Sequence, residues 1–301
     1  MERSRGQVVL VAALGIAVTF VALALVTNTV IYTQNLATRE TVDGVDPVAF
    51  QQSTADATAD LLALANTYNA SGDIDARFRA DVADYSNASA IEVARNGHVA
   101  TASVRSTTPG TRIYQDHPRN FTNGSAVTDW TVATDVTATR RFELNVTREN
   151  LSDGTPFTVI ATDGTDTWTA TIGGNATNVT LTVDDGTPTT CTVAAETTTV
   201  DLTRPALNGT TCDAPAFATG VGTPYDVQFS NGAQGYGRYV LFVDDGATVD
   251  GTNYASTLPD TAPALYDATV HVHVRRPDLD YATNVTVAPE DHPEGESYGP
   301  A

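Results

Sequence analysis

Few residues of this chain have the types and spacing that catalysis or metal binding requires, and the clearest pair is His271 and His273. Side chains repeat every two residues along a β-strand, so both imidazoles would lie on one face and could hold a metal ion. A third ligand would have to come from a distant carboxylate, and the sequence marks none. We therefore interpret the pair as two exposed histidines on a polar strand and predict neither a metal nor a cofactor.

Acidic turns are a second candidate for cation binding. Segments 163–166, 184–186 and 244–246 offer carboxylate oxygens of the kind that Ca²⁺ prefers. Their spacing does not match an EF-hand, and Asp and Gly are also ordinary turn residues, so we predict turns. The chain also lacks a G-x-S-x-G elbow, a phosphate loop, H-E-x-x-H and C-x-x-C. We therefore expect that it is not an enzyme.

Cysteines and glycosylation motifs indicate an extracytoplasmic environment. Cys191 and Cys212, the two cysteines, could form a disulfide, with two free thiols as the alternative. Ten of the sixteen asparagines lie in Asn-X-Ser/Thr sequons, which are acceptors for N-linked glycans, although Thr-rich strands also produce this motif by chance. The sequon asparagines are Asn69, Asn87, Asn120, Asn123, Asn145, Asn150, Asn175, Asn178, Asn208 and Asn284. We expect the turn-like Asn123 and Asn208 and the outward-facing Asn145 to be modified most readily.

The N-terminus carries a long apolar run. No charge interrupts residues 8–31, and as a helix these residues would span about 36 Å, enough to cross a hydrocarbon core of ~30 Å. Arg3 and Arg5 precede the run and acidic residues follow it, which favours an N-terminus inside the cell. We predict a cytoplasmic stub at 1–7, a transmembrane helix at 8–31, and a single-pass protein of the cell membrane whose remainder is extracellular.

The charge of the chain indicates its solvent. Acidic residues number 36 against 16 basic ones, the net charge is −20, and every basic residue is Arg. The acidic residues are dispersed, and molar salt, with a Debye length of about 3 Å, would screen their mutual repulsion. The composition resembles that of an extreme halophile such as a haloarchaeon. Nucleic acid is excluded as a partner because no basic stripe could meet its phosphates.

Residues 32–97 read as a helical stalk or hairpin. Asp46-Pro47 is a helix start signal, and Phe50, Ala57, Leu61, Leu64, Ala65 and Tyr68 fall near helical spacing. A break around Gly72 precedes a second apolar stripe at helical spacing, formed by Ile74, Phe78, Val82 and Tyr85. The two segments predict an antiparallel hairpin or one long interrupted stalk.

From residue 98 the apolar period becomes two. Short alternating runs, such as Phe157, Val159 and Ala161, are separated by turns rich in Gly, Asp and Pro. We predict an α+β protein in which a β-rich, sandwich-like antiparallel head occupies residues 98–290, followed by a disordered tail at 291–301.

The basic stub, then Arg5-Gly6-Gln7, then the apolar run resembles the class III signal of archaeal type IV pilins and pilin-like proteins. The resemblance implies cleavage between Gly6 and Gln7, and a mature helix that bundles with its copies into a filament core. Many pilins carry Glu at the fifth mature position, where this chain has Val11, which argues against a major filament subunit. Taken together with residues 32–39, which directly follow the apolar run, this leader also resembles those of uncharacterised haloarchaeal single-pass secreted proteins.

These observations predict a membrane-anchored, outward-facing surface protein of structural or interaction type. One interpretation is a pilin-like subunit of a filament or secretion machine, whose partners are other pilin-like subunits. The alternative is a stand-alone anchored ectodomain that binds an envelope protein or a ligand. A hydrolytic ectodomain comes third. An ordinary uncleaved signal anchor would suit the alternative.

Overall fold

The computed structural model describes residues 46–68, 73–95, 97–254 and 259–288. The predicted stub, transmembrane helix and tail lie outside the described residues, as do the processing site at Gly6 and Gln7 and the sequon Asn69. Among the helices that are described, none is both long and apolar enough to span a bilayer.

The described chain forms two α-helices followed by fourteen β-strands. The helices are α1 (Pro47–Tyr68) and α2 (Ile74–Ala94). The strands are β1 (Val99–Asn120), β2 (Trp130–Val136), β3 (Thr139–Thr147), β4 (Phe157–Thr162), β5 (Thr167–Gly174), β6 (Val179–Asp184), β7 (Thr189–Val193), β8 (Thr197–Asp201), β9 (Ala206–Leu207), β10 (Thr210–Thr211), β11 (Tyr225–Ser230), β12 (Tyr236–Asp244), β13 (Asp260–Arg276) and β14 (Leu279–Val287).

These strands form two antiparallel sheets. Sheet A has the order β10-β9-β8-β3-β12-β1-β13-β14, and sheet B has the order β2-β11-β4-β5-β6-β7. The prediction of a β-rich antiparallel fold with two helices is confirmed. The predicted turns at 163–166 and 184–186 join β4 to β5 and β6 to β7, with Phe157 opposite Ile172 in the first of these hairpins.

The two sheets share one apolar core. Strands β3, β8 and β12 of sheet A and the inward-facing positions of sheet B supply it, because alternate residues of each strand point inward. Phe229 lies among aromatic rings from both sheets, with its centroid 5.5 Å from that of Trp130, 5.1 Å from Phe157 and 5.2 Å from Tyr239. This packing is that of a β-sandwich.

The helices cover the other end of sheet A. They bury the inward side of β1, β13 and β14, and Phe50, Phe78 and Leu62 pack with strand residues such as Val272 and Ala268 in two smaller clusters. The predicted hairpin therefore belongs to the head and does not stand apart from it as a stalk. In α2 the predicted stripe is buried at Ile74, Phe78 and Val82.

Helix α1 departs from its predicted apolar stripe. Leu64 and Tyr68 were expected inside, but they are 51% and 75% exposed, while the polar Thr54 and Thr58 are buried. The helix contacts both α2 and sheet A, the latter through β13 and β14. These two neighbours, rather than a single apolar stripe, therefore determine which side of the helix is buried. Burial of Thr58 is tolerated because its hydroxyl donates to the Thr54 carbonyl at 2.6 Å.

Both ends of α1 are fixed by polar contacts. Asp46 caps the start by accepting a hydrogen bond from the Val48 N–H at 2.9 Å, which confirms the predicted Asp46-Pro47 start signal. Near the other end the buried Asn66 side chain exchanges two hydrogen bonds with the Leu265 backbone, at 2.9 and 2.8 Å. Arg112 of β1 donates to the Asn66 carbonyl at 2.5 Å, so a buried guanidinium meets carbonyls that the helix leaves unpaired.

Candidate interaction surface: the β14 edge and the face beside it

A sheet exposes unpaired N–H and C=O groups at its edges, and the edges of these two sheets differ in how far other parts of the described chain supply partners. Strand β2 forms one edge of sheet B, and the segment that follows β12 supplies hydrogen-bond partners to it. Thr134 and Thr248 exchange two backbone hydrogen bonds at 2.9 and 2.8 Å, Asn253 donates to the Thr131 carbonyl at 3.1 Å, and the Tyr254 hydroxyl donates to the Val132 carbonyl. This edge therefore has partners along its length.

The disulfide lies at the opposite edge of sheet B, which is formed by the five-residue strand β7. Cys191 lies in β7, the last strand of that sheet, and it is bonded to Cys212, which follows β10 at the end of sheet A. The Cα atoms are 6.0 Å apart. The predicted disulfide is present, and it joins the two sheets where both end.

Helix α2 supplies partners to the first half of β1, which extends beyond β12. The Ser86 hydroxyl accepts a hydrogen bond from the Ala102 N–H at 2.9 Å, and Arg79 donates to the Val104 carbonyl at 3.2 Å. Arg79 is held by an ion pair with Asp75 at 2.9 Å, and the hydrogen bond from Arg79 lowers the pKa of the Asp75 carboxyl. Side chains of α2 thus supply partners to two backbone groups of β1 in the part that β12 does not reach.

Strand β14 differs from these edges. It is nine residues long, ends sheet A and pairs along its whole length with β13 on one side. On its other side no strand of the described chain pairs with it. We call this free side of Leu279–Val287 the β14 edge. It contains no proline and one charged residue, Asp280, so it lacks most devices that discourage edge pairing.

A polar surface lies beside this edge. The side of β1, β13 and β14 that faces away from the helices, here called the outer face, carries Thr101, Ser103, His271, His273 and Asn284. His271 Nδ1 lies 2.9 Å from Asn284 Oδ1, and His273 Nε2 lies 2.7 Å from Asp280 Oδ1. The two imidazoles share a face as predicted, but each contacts its own partner on β14. Across the described residues, no three His, Cys, Asp or Glu side chains group closely enough to hold a metal ion.

The acidic turns use their carboxylates to hold backbone. Asp163 accepts hydrogen bonds from the N–H groups of Asp166, Thr165 and Gly222 at 2.7–2.8 Å, and these bonds lower the pKa of its carboxyl. Asp184 likewise accepts from Gly186 at 2.8 Å. A carboxylate engaged in this way stabilises a turn, which is the role expected from the sequence.

The described sequons differ in accessibility. Asn87, Asn145, Asn150, Asn175, Asn208 and Asn284 are exposed, whereas Asn120 and Asn178 are half-buried. Asn123, expected to be among the most readily modified, is 5% exposed; its amide nitrogen donates to Asn253 and its oxygen accepts from the N–H groups of Ser125 and Val127. Asn123 lines a groove of about 460 Å³ beside β2, together with Asp129 and Asp250. The burial of this amide and its three hydrogen bonds argue against modification there.

Sequence reasoning missed the polar residues that join the helices to sheet A. Asn66, Ser86 and Arg112 act through contacts with residues 16 to 199 positions away, and no local motif marks them. The β14 edge was also missed, because alternation predicts a strand without saying which neighbours it has. The one available signal was that residues 279–287 contain no proline and a single charged residue, Asp280.

Comparison with known proteins gives one match. No curated protein and no solved structure matches the chain significantly. Residues 2–150 match the model of a family of unknown function (DUF7261). The match begins before the apolar run and continues through α1, α2 and β1 to the end of β3. The first half of this chain is therefore similar to an uncharacterised family.

Proposed function

We propose that this chain is a membrane-anchored cell-surface protein whose head faces outward and acts by binding other proteins rather than by catalysis. The observation that carries the proposal is the charge-free apolar run at residues 8–31, which has the length of a single bilayer crossing. The disulfide and the exposed sequon asparagines fit a head in an oxidising, extracytoplasmic space.

Membrane fractionation tests the anchor directly. The wild-type chain should stay in the membrane pellet after alkaline carbonate extraction. Replacing Ala17 and Val18 by Arg places two charges at the centre of the run, each costing about 2.5–3.5 kcal/mol on insertion, and should move the chain to the supernatant. Ala17→Leu with Val18→Leu is the matched control and should remain in the pellet. Equal extraction of the two double variants would reject the anchor.

A pilin-like role is the more specific form of this proposal. The leader places Gly6 and Gln7 directly before the apolar run, which fits removal of Arg3 and Arg5 by a prepilin peptidase. If residues 8–26 form a helix, it would be apolar on all sides, which suits either lipid or a tight bundle of like helices. In cells with an active prepilin peptidase, the mature chain should begin at Gln7, and Gly6→Leu should block processing. Mass spectrometry that finds Met1 or Glu2 at the N-terminus would favour the stand-alone ectodomain.

A further inference from the structure

We propose that the β14 edge is a self-association site, at which β14 of a second copy of this chain pairs antiparallel across a two-fold axis. The proposal does not depend on the membrane anchor, because it rests on described residues of the head. Its starting point is that β14, nine residues long, ends sheet A and that no strand among the described residues pairs with its free side, while the segment after β12 supplies partners to the β2 edge of sheet B.

The sequence of β14 is complementary to itself. The register that pairs all nine residues is centred on Thr283, which then faces its own copy. In this register Tyr281 of each copy lies opposite Val285 of the other copy. Both pairs lie on the side of the sheet that carries the helices. Aromatic and β-branched residues are favourable cross-strand neighbours. The half-buried Tyr281 is already oriented by a hydrogen bond from its hydroxyl to Gln51.

Charge favours a second copy at this edge over most other surfaces of the molecule. With a net charge of −20, two copies of this chain repel each other, and a contact between them is favoured where few carboxylates meet. Here Asp280 is the one charged residue of the strand, and the central register places it opposite Thr286. The two Asp280 side chains would then be about 20 Å apart, six residues along the strand, so like charges do not meet.

The geometry is compatible with anchoring in one membrane. Gln51, near the start of α1, contacts Tyr281, near the start of β14, so the two-fold axis places the first residues of the two heads at opposite ends of the strand pair. Residues 32–45 could extend to roughly 50 Å, which exceeds the ~30 Å length of β14. The same arrangement would also join heads from two facing membranes.

Site-specific crosslinking of the full chain tests the pairing. In Thr283→Cys, the two new thiols would lie at the axis with Cβ atoms about 5 Å apart, and a short bismaleimide should give a crosslinked dimer. Asp280→Cys is the matched control, because its thiol is exposed on the same strand but about 20 Å from its copy. Equal labelling of both variants by a monomaleimide would show that the two thiols are equally reactive, and circular dichroism unchanged from wild type would show that both variants are folded.

Three outcomes are distinguishable. A dimer from Thr283→Cys but not from Asp280→Cys supports the proposal, and association through the apolar run alone would not select between these positions. No dimer from Thr283→Cys at equal labelling, or equal dimer from both variants, overturns it. A dimer that forms only after removal of residues 289–301 also overturns it, because the chain's own C-terminal segment would then occupy the edge. Amide hydrogen exchange of β14 in the unmodified chain, slower at high than at low concentration, provides a second measurement.

Discussion

Asn66 joins helix α1 to sheet A, and replacing it by Ala should destabilise the head strongly. The side chain is 2% exposed and satisfies both the N–H and the C=O of Leu265, which is itself buried. The variant would lose two hydrogen bonds and leave two buried backbone groups unpaired. Each unpaired group costs about 1–3 kcal/mol, so we expect the free energy of unfolding to fall by about 2–6 kcal/mol.

Urea unfolding of the full chain in mild detergent and molar KCl would measure this loss. Tryptophan fluorescence reports on Trp130 and Trp168 in the sandwich core, and circular dichroism at 222 nm reports on the helices. Gln52→Ala, an exposed substitution on the same helix, is the control and should stay within about 0.5 kcal/mol of wild type. If the free energy of unfolding of Asn66→Ala also stays within that range, the contact with Leu265 does not stabilise the packing of α1 on sheet A.

Three further predictions concern the whole head. Lowering salt from molar concentration to about 0.1 M extends charge repulsion to about 10 Å and should loosen or unfold the head, as followed by circular dichroism; equal stability at both salts would contradict this. Replacing Cys191 and Cys212 by Ser should lower the free energy of unfolding by about 3 kcal/mol, since the disulfide closes a loop of 21 positions, and an unchanged urea midpoint would contradict the estimate. Glycopeptide mass spectrometry should find glycan at exposed Asn145 and Asn208 but not at buried Asn123; glycan at Asn123 would mean that its groove opens.

Sequence patterns predicted the helices and strands that are marked by residues close together in the chain. Asp46-Pro47 marked the start of α1, and alternation marked β4 and the strand that carries His271 and His273, because a helix cap and a two-residue period are properties of neighbouring residues. Strands β8 to β10 were missed: β9 and β10 have two residues each, and β8 is Thr-rich with little apolar alternation.

Sequence patterns could not predict contacts between residues that are far apart in the chain. The burial of Thr54 and Thr58 and the exposure of Leu64 follow from α1 lying against both α2 and the sheet, which its own residues do not reveal. The His271 and His273 pair was placed correctly on one strand face. Its partners Asn284 and Asp280 depend on the register with β14, which only the assembled sheet determines.

The most direct test of the account is the topology of the chain in intact cells. An outward-facing head predicts that protease added to intact cells, kept in molar salt, removes the region from Asp46 onward and leaves a membrane-bound fragment that contains residues 8–31. An epitope tag at the C-terminus should disappear at the same rate as the head. A head that stays protected until the cells are lysed would contradict the account and place these strands inside the cell.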